Sequence, residues 1–217
     1  MLDGFRQIYD EIPYILSGVG VTLAYAVIGV IFGFFGGTIL ATVKVSNNRF
    51  LRLFGAFYTS IFRGTPLLLQ LFIIYFAIPQ VLGVCISAFA AGIIAFSLNS
   101  SAYVSEIIRA GIKSVDHGQY EVAKVLGCSK LQIMRDIIFP QAIRNVLPSL
   151  VNEMIDLLKE SALVSVIGEA DLLRRAHIVA SEHYLYLEPL LVAGLCYYAL
   201  VLVLSALAKF IEKKLPC

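Results

Sequence analysis

The chain has 217 residues, of which 59% are hydrophobic and 15% charged, with a mean hydropathy of +0.84. Charged residues make up about a quarter of an ordinary soluble domain, so this composition excludes one and predicts an integral membrane protein. The net charge of +2 is small and its cations are scattered, which speaks against a nucleic-acid-binding face.

The first eleven residues, Met1 to Glu11, are acidic and amphipathic, without the basic start and small-residue cleavage site of a secretory signal. Residues 12–43 carry no charge, more than the roughly 20 residues that cross a bilayer, and give a first span at about 13–43. Within it Gly29, Gly33 and Gly37 recur every four residues, a spacing that lets another helix approach closely. Residues 64–105 are again uncharged, but Pro79-Gln-Val-Leu-Gly83 places a proline and a glycine at turn spacing. That predicts two spans, at about 54–78 and 85–108, joined by a hairpin. A fourth apolar segment, about 146–168, carries Glu153, Asp156, Lys159 and Glu160, and a fifth at about 189–209 is nearly free of charge.

Five spans put the two termini on opposite sides. Lys44, Arg49 and Arg52 lie in the first loop, and Arg109, Lys113, Lys124, Lys130, Arg135 and Arg144 in the third. Arg174 and Arg175 lie in the fourth loop, Arg6 in the head, and Lys209, Lys213 and Lys214 in the tail. The alternation of heavy and light segments predicts an N-terminus outside and a C-terminus inside by the positive-inside rule. The segment 112–145 then lies in the cytoplasm.

That segment reads as a helix-turn-helix. Asp116 with Gln119 has the spacing of a capping box, and Gly127 supplies a left-handed stop. Ser129 with Gln132 repeats the capping spacing, and Pro140 is expected to interrupt the second helix. Tyr120, Val122, Val125 and Leu126 form an apolar stripe beside Glu121 and Lys124, suited to a partner's groove; the same stripe could instead lie against the chain's own spans.

The run Glu121-x-Ala123-x3-Gly127-x9-Ile137-x-Phe139-Pro140 resembles the cytoplasmic E-A-A loop of the permease subunits of ATP-binding cassette (ABC) importers. It departs from that consensus at Val122, where the family has alanine, and at Phe139, where it has leucine. Arg63-Gly-Thr-Pro-Leu-Leu-Leu-Gln70, Asn99 to Gly111, Pro140-Gln-Ala-Ile143, and Asn152-Glu153 with Leu158-Lys-Glu-Ser-Ala162 look like its polar amino-acid branch. His117 stands where that branch has proline. The resemblance covers nearly the whole chain and implies a multi-pass subunit of the bacterial inner membrane. It further implies a second permease copy, identical or paralogous, ATPase subunits below that bind the ATP, and a substrate-binding protein outside. Glu121, Ala123, Leu126 and Gly127 would couple to the ATPase.

Substrate residues are sought at mid-depth, where polar side chains are costly unless they face a cavity. Thr65 and Gln70, Asn99 and Ser100, and Asn152 and Glu153 fall there. Glu153 is expected to accept a substrate ammonium, with Asn99, Ser100 or the backbone near Thr65 offering donors to the carboxylate; alternatively Glu153 pairs internally, for example with Arg63. Asp156 and Lys159 are expected to pair along one helix.

No GxxxxGK[ST] motif is present, and Cys85, Cys128, Cys196, Cys217 and the histidines show no ligand or nucleophile spacing. An enzyme, a bound metal and a cofactor on this chain are therefore not expected. The expected function is the permease of an importer of polar amino acids, basic or amide ones such as arginine, lysine, histidine or glutamine. The alternative is an ion-coupled secondary transporter or proton-relay channel built on Glu153 and Asp156.

Overall fold

A computed structural model describes residues 2–214, with the side chains of 4–210; Cys217 lies outside the described residues. Every regular element among the described residues is helical. Short helices at Leu2–Gln7, Tyr9–Glu11 and Ile12–Leu16 lead into α1 (Val19–Val45). Then come α2 (Arg49–Gly64), α3 (Leu67–Leu82), α4 (Ala88–Lys113) and α5 (His117–Val125). The chain ends in α6 (Phe139–Glu160), α7 (Leu172–His183) and α8 (Leu187–Lys214).

Three helical stretches, Tyr9–Val45, Ala88–Lys113 and Leu187–Phe210, are long and apolar enough to cross a membrane. α2 and α3 pass only as a pair, bent by 104°. The region of the expected span at about 54–78 thus forms two arms that meet at a sharp break. Thr65 is extended (φ −123°, ψ 146°) ahead of Pro66, as the proline ring demands of the residue before it.

Two other prolines behave differently from expectation. The hairpin does not open at Pro79, because the helix runs through it to Leu82 and turns at Gly83 (φ +66°). Pro140 does not end a helix either: the stretch from Lys130 continues through it into α6, and Ser161–Ile167 extends it as a 3-10 turn. In both cases a π turn, Ile73–Ala77 or Ile133–Ile138, immediately precedes the proline region. A widened turn moves the ring clear of the carbonyl it would otherwise strike, so the helix survives.

α1 and α4 form the central seam, and the glycines explain it. A side-chain carbon on Gly33 would collide with Ser100, and one on Gly37 would lie 2.7 Å from Val104. Gly29 faces Phe96 at 3.2 Å by the same construction. The main core gathers Tyr25, Leu67, Leu71, Phe96, Leu157 and Val164 around this seam. A second cluster ties the N-terminal helices to α7 and α8 through Ile8, Ile15, Leu172 and Val179. There the buried Asp171 caps α7 at the Arg174 amide (2.9 Å) and accepts from the Tyr197 hydroxyl at 3.3 Å.

Overpacking a well-filled seam costs about 1–3 kcal/mol, so Gly33→Ala is expected to lower the thermal midpoint of the detergent-solubilised protein. Gly194, exposed in α8 with open space around it, is the control: Gly194→Ala should be neutral or stabilising by about 0.5–1 kcal/mol. Equal effects at the two positions would contradict the close-packed seam.

Candidate functional site

The break at Pro66 leaves carbonyls without their helical donors. In an uninterrupted helix the Phe62 carbonyl would accept from the amide of residue 66, which proline lacks. Two side chains replace it: Gln70 Nε2 donates to Phe62 O at 2.9 Å, and Asn99 Nδ2, reaching across from α4, donates to the same oxygen at 3.1 Å. Gln70 Nε2 also reaches Thr65 O (3.1 Å) and Thr65 Oγ1 (3.0 Å), while Thr65 Oγ1 donates to Ile61 O at 2.8 Å. Asn99 Nδ2 donates further to Gln70 Oε1 at 3.1 Å, closing the network.

Three of the six residues expected to meet substrate, Thr65, Gln70 and Asn99, are therefore engaged in holding the bend. Asn99 does line a cavity of about 430 Å³ together with Tyr103, Glu153, Asp156, Lys159, Glu160 and Leu163. Both of its amide hydrogens are committed to the frame, so toward the cavity it can offer only the acceptor Oδ1. This reverses the donor role expected for it. Ser100 is fully buried between Gly33 of α1 and Glu153 of α6. Asn152 is exposed and does not line the cavity.

Glu153 is 8% exposed and makes no ion pair among the described residues. The expected alternative partner, Arg63, lies instead 3.9 Å from Glu106 and over the Tyr103 ring at 5.4 Å. Glu106 also binds Lys44 Nζ at 2.7 Å and pairs with Arg109. Asp156 pairs with Lys159 at 2.7 Å, cancelling the chamber's one cation. What remains is an acidic chamber with Glu153 at its wall.

Tyr103 and the Glu106 cluster are not among the site residues expected from sequence. A signal was present for the latter, since Arg63 and Glu106 are the two charges that bound the long uncharged stretch, and a charge at such a border needs a partner.

The segment at 117–127 forms as a distinct unit. Asp116 Oδ1 caps α5 by accepting from the Gly118 amide at 2.9 Å. Gln119 does not return the capping-box bond. It pairs with Gln141 (2.6 Å), so the amide is held by the next helix instead. Gly127 is left-handed (φ +82°), and Ser129 with Gln132 completes a capping box. Ala123 is buried against Ile133 and Ile138, whereas Val122, Val125 and Leu126 are exposed. Glu121 is exposed beside His117, at 3.4 Å. Ala123 thus anchors α5, and the other three form an unburied apolar edge.

Residues 33–215 match the family described as binding-protein-dependent transport system inner membrane component. The chain belongs to that family. It is a permease subunit, an inner membrane component of a transporter. It is 57% identical over 215 residues, 99% of each chain, to the putative glutamine transport system permease protein GlnP of Rickettsia conorii. It is 50% identical over 211 residues to the arginine transport system permease protein ArtQ of Bacillus subtilis, covering 97% of this chain and 96% of that one. Among solved structures it is similar to that of an amino acid ABC transporter with histidines, with a TM-score of 0.93 and 44% identity over 97% of this chain and 98% of the other.

Leaving a buried carbonyl without a partner costs about 1–3 kcal/mol. With either amide removed the other still serves Phe62 O, so Asn99→Ala and Gln70→Ala should each lower the unfolding midpoint in detergent modestly, and the double variant, which orphans the oxygen, should lose more than the sum. Strict additivity would show that the two amides do not act together.

Proposed function

We propose that this permease forms the membrane path of an ATP-driven importer of polar amino acids, basic or amide ones such as arginine, lysine, histidine or glutamine. The observation that carries the proposal is Glu153: a buried carboxylate at the wall of a chamber of about 430 Å³, with the only chamber cation already paired to Asp156. A carboxylate so placed is costly without a cation, and the ammonium or basic side chain of an amino acid supplies one. Asn99 Oδ1 adds a second acceptor on the same wall. The names borne by the relatives, glutamine and arginine permeases, support the same class.

In this reading five membrane passages run from an N-terminus outside to a C-terminus inside, with α2 and α3 together making the second. Two permease copies, identical or paralogous, enclose the path. A substrate-binding protein delivers cargo outside, and separate ATPase subunits bind and hydrolyse ATP below. The unburied edge of Val122, Val125 and Leu126, with Glu121 beside it, docks into the ATPase, and the Ala123 anchor passes its movement to the base of α6 through Ile133 and Ile138.

Glu153→Gln keeps the shape and removes the charge. A charged hydrogen bond contributes about 1.5–3 kcal/mol, so uptake of arginine or lysine by vesicles containing the reconstituted transporter should fall by about tenfold or more. Unchanged uptake and substrate preference would contradict the assignment. Uptake should persist when an uncoupler dissipates the proton gradient and stop when ATP is withheld; the opposite pattern would favour an ion-coupled carrier.

Gly127 at φ +82° cannot be replaced by proline, whose ring holds φ near −65°. Gly127→Pro and Glu121→Lys are expected to detach ATP hydrolysis from uptake or to prevent assembly with the ATPase. Coupled transport at the normal rate in both variants would sink the docking role.

A further inference from the structure

The acidic chamber does not stand alone. Below it lies a second cavity, of about 650 Å³, lined by Arg63, Tyr103, Glu106, Arg109, Asn145 and Ser149 among others. A third, of about 800 Å³, is lined by Lys44, Arg49, Arg52, Arg63, Glu106 and Arg109. Tyr103 is the residue shared by the first two, and Arg63, Glu106 and Arg109 are shared by the last two. The three therefore form a series, with Glu153 at one end and a cationic vestibule at the other. Five cations face one carboxylate in that vestibule.

The wall between the chamber and the rest is Tyr103, with the Arg63 guanidinium lying over its ring at 5.4 Å. Arg63 is held there from behind by Glu106, at 3.9 Å. Glu106 is itself fixed by Lys44 from α1 and Arg109 from its own helix, so it cannot follow Arg63 away. The Arg63 contact is the weakest of the three and the Arg63 side chain is 44% exposed. Moreover, Arg63 is the residue after Phe62, whose carbonyl is pinned by Gln70 and Asn99. With that backbone fixed, a swing of the exposed Arg63 side chain alone would lift the guanidinium from Tyr103 while leaving Lys44, Glu106 and Arg109 in place.

We propose that Tyr103 and Arg63 form the inner gate of the path, a stacked pair that closes the acidic chamber toward the cationic vestibule, with Glu106 as its positioning residue. The proposal rests on the chamber holding the cargo. A cationic or zwitterionic cargo leaving Glu153 must displace the guanidinium from the ring. The vestibule beyond repels cations entering from the opposite direction, so the closed pair excludes both water-borne cations and returning cargo.

The test reads access to the chamber and not transport. In the full transporter, with Cys85, Cys128, Cys196 and Cys217 changed to serine, Leu163→Cys places a thiol at the chamber wall. A membrane-impermeant cationic thiosulfonate is applied without ATP to the face carrying α5. Labelling should be slow in that parent and about tenfold faster after Tyr103→Ala or Arg63→Gln, the scale of one cation–π contact with its ion pair. Tyr103→Phe, which keeps the ring, should restore the parent rate and exclude a folding defect, and labelling from the opposite face should not change. Fast labelling in the parent, equal rates in all variants, or equal acceleration from both faces would overturn the gate. Uptake measured in parallel on the Leu163→Cys parent and on Glu153→Gln keeps the two questions apart: loss of the Glu153 dependence counts against the cargo assignment, whereas the labelling rates decide the gate.

Discussion

The carbonyl oxygen of Phe62 is the atom on which the arrangement depends. Its helical donor would be the amide of residue 66, and residue 66 is proline. In a membrane interior such an oxygen has no water to turn to, so the chain must supply a partner or abandon the bend. It supplies two, Gln70 from the next arm and Asn99 from α4. This makes the 104° bend a fixed joint between three helical segments. The same amide that pins the joint also lines the Glu153 chamber, and the residue following Phe62 carries the guanidinium over Tyr103.

Around that joint two different forces hold the helices in register. Between α1 and α4 the hold is steric, because Gly33 and Gly37 allow contacts with Ser100 and Val104 that no larger residue would permit. At the other end of the same two helices it is electrostatic, through Lys44 and Glu106. A partly buried charge pair is a poor source of net stability, so what this one contributes is position. Placing it at one end fixes α1 against α4 there and leaves the polar chamber beside Glu153 shaped by α4 and α6 (the helices of Asn99 and Glu153).

Much of this was legible in the residues themselves. The helical membrane character followed from the uncharged stretches, the seam from the spacing of Gly29, Gly33 and Gly37, and α5 from Asp116 and Gly127. The prolines were read less well. A proline looks the same in sequence whether it breaks a helix, as at Pro66, or is carried by a preceding π turn, as at Pro79 and Pro140; the difference lies in neighbouring turns and in whether distant amides can replace the lost bond. Asn99 and Gln70 were picked out correctly as polar groups in an apolar setting, but whether they face cargo or backbone is decided by a tertiary approach of α4 to Phe62 that no local pattern encodes. For the same reason Tyr103 gave no signal, since an aromatic residue in a span is ordinarily packing.

The most direct measurement is the distance between the two arms of the bend. Spin labels at Phe50 on α2 and Val81 on α3, both strongly exposed, report it by pulsed electron resonance in lipid nanodiscs without altering the joint. The account predicts one narrow distance distribution in the otherwise native chain, and a broad one once Asn99→Val and Gln70→Leu together remove both donors to the Phe62 carbonyl. A distribution equally narrow and unmoved in that double variant would show that Pro66 alone sets the bend, and would contradict the central role given to the Phe62 carbonyl.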